Sequence, residues 1–127
     1  MSQLSLENLV GKLNSTCREA LEAAAKLCLS RTHYNVEIEH WLVALLDVYR
    51  GDMSIALRSL GVDPGQVSGR LNQAIDRFKS GNGRPPALAP NIVDLVRDAW
   101  LVASVQQSAG QVRSAHLLIA LLDSSTL

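Results

Sequence analysis

The stretch Val36 to Asp47 returns without a gap 76 positions later as Val112 to Asp123, keeping Val, His, Leu, Ala, Leu, Leu and Asp at matching places. Carried backward at the same offset, Cys17 to Asn35 lies over Val93 to Gln111, with Ala23 on Ala99, Cys28 on Ser104 and Leu29 on Val105. A chain built this way uses one apolar face twice, which suits a packed scaffold. A catalytic constellation has little use for two copies of itself.

The expected class is all-α. No alternation of apolar and polar residues lasts long enough for a strand, and Ala, Leu, Glu, Gln and Arg dominate. Ser5 is placed to cap a short helix whose stripe is Leu6, Leu9, Val10 and Leu13, weakened by Gly11. Asn14 or Ser15 caps a second helix to about Ser30, with Cys17, Ala20, Leu21, Ala24, Leu27 and Cys28 inward and Arg18, Glu22 and Lys26 outward. A helix over Glu37 to Tyr49 follows, carrying Trp41, Leu42, Leu45 and Leu46 as the centre of the first repeat. Met53 to Leu60, closed by Gly61, and Pro64 to Lys79, with Val67, Leu71, Ile75 and Phe78, complete it.

Residues 80–89 are rich in Gly and Pro and join the halves. Pro90 opens a helix to about Ser108, and Ser114 caps another to Asp123. The organisation is thus one domain over 1–127: an extra helix in 1–13, a four-helix repeat in 14–79, the linker, and a second repeat in 90–127. That second repeat is expected to be cut short, so the chain reads as a fragment of a longer protein.

Twelve basic and twelve acidic residues balance without runs, so no footprint for a phosphate backbone or an anionic membrane is present. No stretch approaches the roughly 20 apolar residues of a membrane span, and Met-Ser-Gln-Leu-Ser lacks the features of a secretory signal. Cytoplasm is the default compartment. Cys17 and Cys28 are eleven positions apart in one helix, about 16 Å along its axis, too far for a disulfide, and read as small buried residues. No metal and no catalytic residue is assigned. His40 and His116 recur in the first turn of matching helices, where an imidazole bonding the loop backbone fixes the turn. His33 with Glu37 and Glu39 reads as a solvated face, and Trp41 and Trp100 as core fillers.

Val-x-x-x-His-x-Leu-x-Ala-Leu-Leu, found twice in register, resembles the N-terminal domains of the Clp class of AAA+ unfoldases. Cys17 to Ala25, Leu27 to Tyr34, Glu37 to Trp41 and Asp98 to Ser104 are most similar to the ClpV family of bacterial type VI secretion, Ile38 adding to the likeness. The resemblance covers essentially the whole chain. It implies a pseudo-twofold Clp N-domain fold and a binding domain whose partner is an N-terminal helix of the large sheath subunit, VipB or TssC. No cofactor belongs to the fragment. ATP and Mg, and a hexamer held by ATPase rings beyond Leu127, belong to the implied parent protein.

By the same resemblance the peptide groove falls on Leu6, Leu9, Val10, Leu13, Thr16, Cys17, Ala20, Ala23, Ala24 and Leu88. Leu88 and Ala89 stand where the family tends to carry an aromatic and a Ser, which leaves a smaller contact and no helix cap. The residues themselves reach a compatible place, since the helix of 1–13 has no counterpart in the second repeat. A short amphipathic helix on an Ala-rich neighbour leaves a furrow that accepts a partner helix. The same four side chains would equally serve to complete a core. On the groove reading, Leu9→Glu or Ala20→Arg removes binding and spares helical content. The alternatives are an N-domain of a general ClpB, ClpA or ClpC type that binds adaptors or unfolded chains, and a small helical enzyme using His40 or His116.

Overall fold

In the computed structural model, which describes residues 6–47, 52–106 and 110–123, the chain forms seven helices and one minimal strand pair among those residues. α1 (Leu6–Gly11) has six residues, too few to persist alone. It holds because Leu9 and the following Leu13 are fully buried and α1 lies against α6 of the second half. Lys12 adds a cation over the Trp100 ring, 4.7 Å from its centroid. The neighbour of α1 is therefore chiefly α6 and not the Ala-rich α2 expected from the sequence.

α2 (Ser15–Ser30) starts where the Asn14 side chain accepts from the Cys17 amide at 2.9 Å. Its buried face is Cys17, Ala20, Leu21, Ala24 and Cys28, one stripe at helical spacing. Asn14→Ala is expected to cost about 1 kcal/mol, read as a lower urea midpoint at unchanged slope. The helix ends in a Schellman turn: the Thr32 amide donates to Leu29 O and the His33 amide to Cys28 O. Thr32 takes the left-handed position at φ 56, where glycine is usual.

β1 (Asn35–Val36) leads into α3 (Ile38–Leu46), which buries Ile38, His40, Trp41, Val43 and Leu45 and packs on α2, α5 and α4. It is the central helix of its repeat. α4 (Asp52–Ser59) buries Met53, Ser54 and Leu57 and also meets α7. Gly61, at φ 78, closes it through the Val62 amide on Leu57 O. Asp63 caps α5 (Pro64–Asp76), which stops three residues before the expected Lys79.

β2 (Ala87–Leu88) lies inside the expected linker and pairs in parallel with β1, Asn35 beside Ala87 and Val36 beside Leu88. A matching parallel bridge joins Leu13 to Val112. α6 (Pro90–Leu101) passes into a π-helical turn at Val102–Gln106, and α7 (Ser114–Asp123) follows. Ser114 is the first helical residue and so not the cap. The Arg113 amide ahead of it donates to His116 Nδ1 at 2.9 Å. Ser5, Tyr49 and Ser108 lie outside the described residues, as does the Leu6 side chain.

The two halves share their burial pattern in a register that the gapless alignment misses by one. α2 and α6 begin at Ser15 and Pro90, 75 apart, whereas α3 and α7 begin at Ile38 and Ser114, 76 apart. Burial pairs Cys17 with Ile92, Ala20 with Leu95, Leu21 with Val96 and Ala24 with Ala99. The alignment instead put Cys17 on half-buried Val93. The π turn lies between the two registers, and a π loop holds one residue more than an α loop.

Candidate functional site

The ten residues assigned to a groove divide by exposure. Leu9, Leu13, Cys17 and Ala24 are fully buried and Ala20 nearly so, and these five share one core cluster with Trp41, Ile92 and Leu117. Val10 and Leu88 are half-buried at the edge of that cluster, and Thr16 is half-buried at the first turn of α2. Ala23 is exposed on another side of α2, in a depression lined by Leu27, Val43, Ala44, Ser68 and Asn72. In α1 and the start of α2 the partly exposed members of the set are thus Val10 and Thr16. Leu88 is half-buried in β2, paired with Val36 and two residues ahead of α6. Ala89 is the N-cap of α6 and offers no side-chain bond, as its sequence implies.

A second cluster was not legible as such in the sequence. His33 is buried at 4% exposure, contrary to the solvated face expected of it, and its Nδ1 lies 3.0 Å from His40 Nε2. Phe78 closes the cluster, its ring centroid 5.6 Å from that of His33 and 5.3 Å from that of His40. The expected role of the recurring histidines is present: the Glu37 amide donates to His40 Nδ1 at 2.9 Å, the counterpart of the Arg113–His116 bond. Burial, with His33 and Arg31 adding repulsion, lowers His40 to about 4. Burial and then Arg31 lower His33, opposed by Asp76. Both rings are neutral at pH 7.

Cys28, His33 and His40 bring one donor atom each within 4.8 Å of one another, a set with metal-ligand composition. Their protonation does not suit a metal. His40 Nδ1 accepts the Glu37 N–H, so a neutral ring carries its proton on Nε2 and presents hydrogen, not a lone pair, to His33. The Cys28 thiol donates to Asn35 O at 3.2 Å, and burial followed by Glu37 pushes its pKa up, away from the thiolate that ligation or nucleophilic attack requires. The cluster is a satisfied hydrogen-bond relay. Trp41 fills the core as expected, with its indole N–H on Cys17 O at 3.1 Å, while Trp100 is half-buried under Lys12.

Residues 12–127 match the family described as the Clp repeat (R) N-terminal domain. The AAA+ ATPase ClpV1 of Pseudomonas aeruginosa is 32% identical over 127 residues, all of this chain and 14% of that protein. The solved N-domain of ClpV from Vibrio cholerae has a TM-score of 0.88 at 33% identity, over 96% of this chain and 73% of the other. A solved complex of a ClpV N-domain with a VipB peptide gives 0.88 at 31% identity, over 99% of this chain and 77% of the other. The duplicated halves and their paired imidazole caps are common ground between sequence and fold, and the chain belongs to the Clp repeat N-terminal domain family.

Proposed function

We propose that this domain captures a short amphipathic helix at the N-terminus of a large sheath subunit of the VipB or TssC type. By doing so it recruits a contracted type VI secretion sheath to a AAA+ motor for ATP-driven disassembly. The observation that carries this reading is the likeness, over 99% of this chain, to a ClpV N-domain solved with a VipB peptide. The buried Leu9, Leu13, Cys17, Ala20 and Ala24 form the floor of the groove and Val10, Thr16 and Leu88 are its reachable positions, while Leu6 is assigned to it on the sequence alone and Ala23 lies beside a separate depression. A partner helix would present apolar anchors at i, i+3 and i+4 to them.

The domain itself is a binding module without enzymatic activity. ATP, Mg and hexameric rings belong to the parent protein, which works in the bacterial cytoplasm. No helix among the described residues is long and apolar enough to cross a membrane, in keeping with that setting. Titrating the domain with a synthetic peptide of the sheath subunit's N-terminal helix, beside a scrambled control, tests the reading by calorimetry. Saturable heat from the native peptide alone is expected. Equal or absent heat with a folded domain would point instead to a general N-domain that takes adaptors or unfolded chain.

A further inference from the structure

Residues 77–88 cross from α5 to α6 as a strap fastened to one short segment of the first half. The Gly81 amide donates to Thr32 Oγ1 at 2.9 Å, the Asn82 amide to Thr32 O at 2.9 Å, and Asn82 Nδ2 to His33 O at 3.2 Å. Farther along, the Ala87 amide reaches Tyr34 O and the Ala89 amide Val36 O. Every acceptor lies between Thr32 and Val36, the stretch that carries His33. Beneath it, His40 Nε2–H bonds His33 Nδ1, and Phe78 of the strap covers both rings.

One proton occupies the 3.0 Å contact between the rings. A further proton on His33 Nδ1 leaves two N–H groups facing with no acceptor, and one on His40 Nδ1 breaks its bond to the Glu37 amide. We propose that the His33–His40 pair is an acid-released latch: a proton taken up there frees the segment Thr32–Val36 and the strap 77–88 while the rest of the core stays folded. The groups facing the pair are Cys28 of α2 and Arg31 at its C-cap, Glu37 at the N-cap of α3 flanked by Glu39, Asp76 from α5 and Lys79 from the strap. Arg31, ion-paired with Asp76, sets a cation beside the rings and opposes protonation while the latch is shut.

Both folded values lie below the ordinary 6.5, so the released form binds protons better than the latched form. The latch is therefore fully effective above about pH 6.5 and weakens as pH falls towards about 4, up to tenfold per unit for one proton. The second half keeps the capping histidine, His116, but has Ala109 where the first has His33. It supplies an internal control. Leu88 ends the strap, so release would also loosen that edge of the groove; this consequence alone rests on the sheath-peptide reading.

Amide exchange of the whole chain by NMR between pH 7 and 5, corrected for intrinsic rates, tests the latch without any partner. Protection at Gly81, Asn82, Ala87 and Ala89 is expected to fall about tenfold per unit below pH 6.5, with less than threefold loss at Asn14 and Val112, which hold the matching bridge. Parallel loss at both bridges, or an unchanged strap, overturns the proposal. In H33Q the amide oxygen still accepts the His40 N–H, so the fall should be at least threefold shallower, and a slope as steep as the parent's overturns it. The ring resonances of the unsubstituted chain give a second reading: both rings must titrate below the ordinary 6.5 while the strap holds, and a ring that takes its proton near 6.5 with the strap still protected sinks the idea.

Discussion

Replacing Trp41 by Ala is expected to remove about 3–5 kcal/mol of stability, a large part of what a domain of this size holds. Trp41 is the largest fully buried side chain, and its indole N–H ties the middle of α3 to Cys17 O of α2. Truncation leaves a cavity where the two helices meet and takes a partner from a buried carbonyl, so transfer, cavity and polar terms act in one direction. The melting temperature followed by circular dichroism should drop by about 10–20 °C. Trp41→Phe keeps most of the volume and loses only the donor, for about 1–2 kcal/mol. If the two variants melted together, the hydrogen bond and not the packing would be what holds α3 on α2.

The repeat made most of this fold legible because its strongest signal, the stretch from Val36 to Asp47, coincides with the helix at the centre of the core. Caps were readable for the same reason: Asn14, Gly61, Pro64 and Pro90 act within their own turn, and local chemistry is written in local sequence. Register was less so. Small apolar residues are frequent in both α2 and α6, so sliding one past the other by one place still matches Ala to Ala, and only burial shows that Cys17 answers to Ile92. Strands of two residues carry no periodicity at all, and β2 sat in a stretch whose Gly and Pro argued for a loop.

The site divides along the same line. The imidazole caps were foreseen because they recur in register at three-residue spacing from the amides they accept. The His33–His40–Phe78 cluster was missed because it joins the end of α2, the start of α3 and the end of α5, and nothing in a sequence window marks that meeting. Thr32 is a similar case. A β-branched residue at φ 56 is a poor choice judged locally, and it persists where Gly81 and Asn82, about fifty positions on, bond its hydroxyl and carbonyl.

Leu9→Glu is expected to destroy the fold around α1 and so cannot report on binding, as the sequence alone had suggested it would. Leu9 is fully buried against the second half, and an uncompensated carboxylate there costs several kcal/mol or forces the six-residue helix off α6. Ala20→Arg fails for a related reason, since a long cation has no room at a site 4% exposed in the middle of α2. The informative changes are at the half-buried edge. Val10→Glu and Thr16→Arg leave the floor intact, so urea midpoints should shift by less than about 1 kcal/mol. Binding of the sheath helix should weaken tenfold or more, about 1.4 kcal/mol, because each change sets a charge against an apolar anchor. Calorimetric affinities equal to the parent's for both variants would remove α1 and the first turn of α2 from the binding surface and leave the depression beside Ala23 as the place to look.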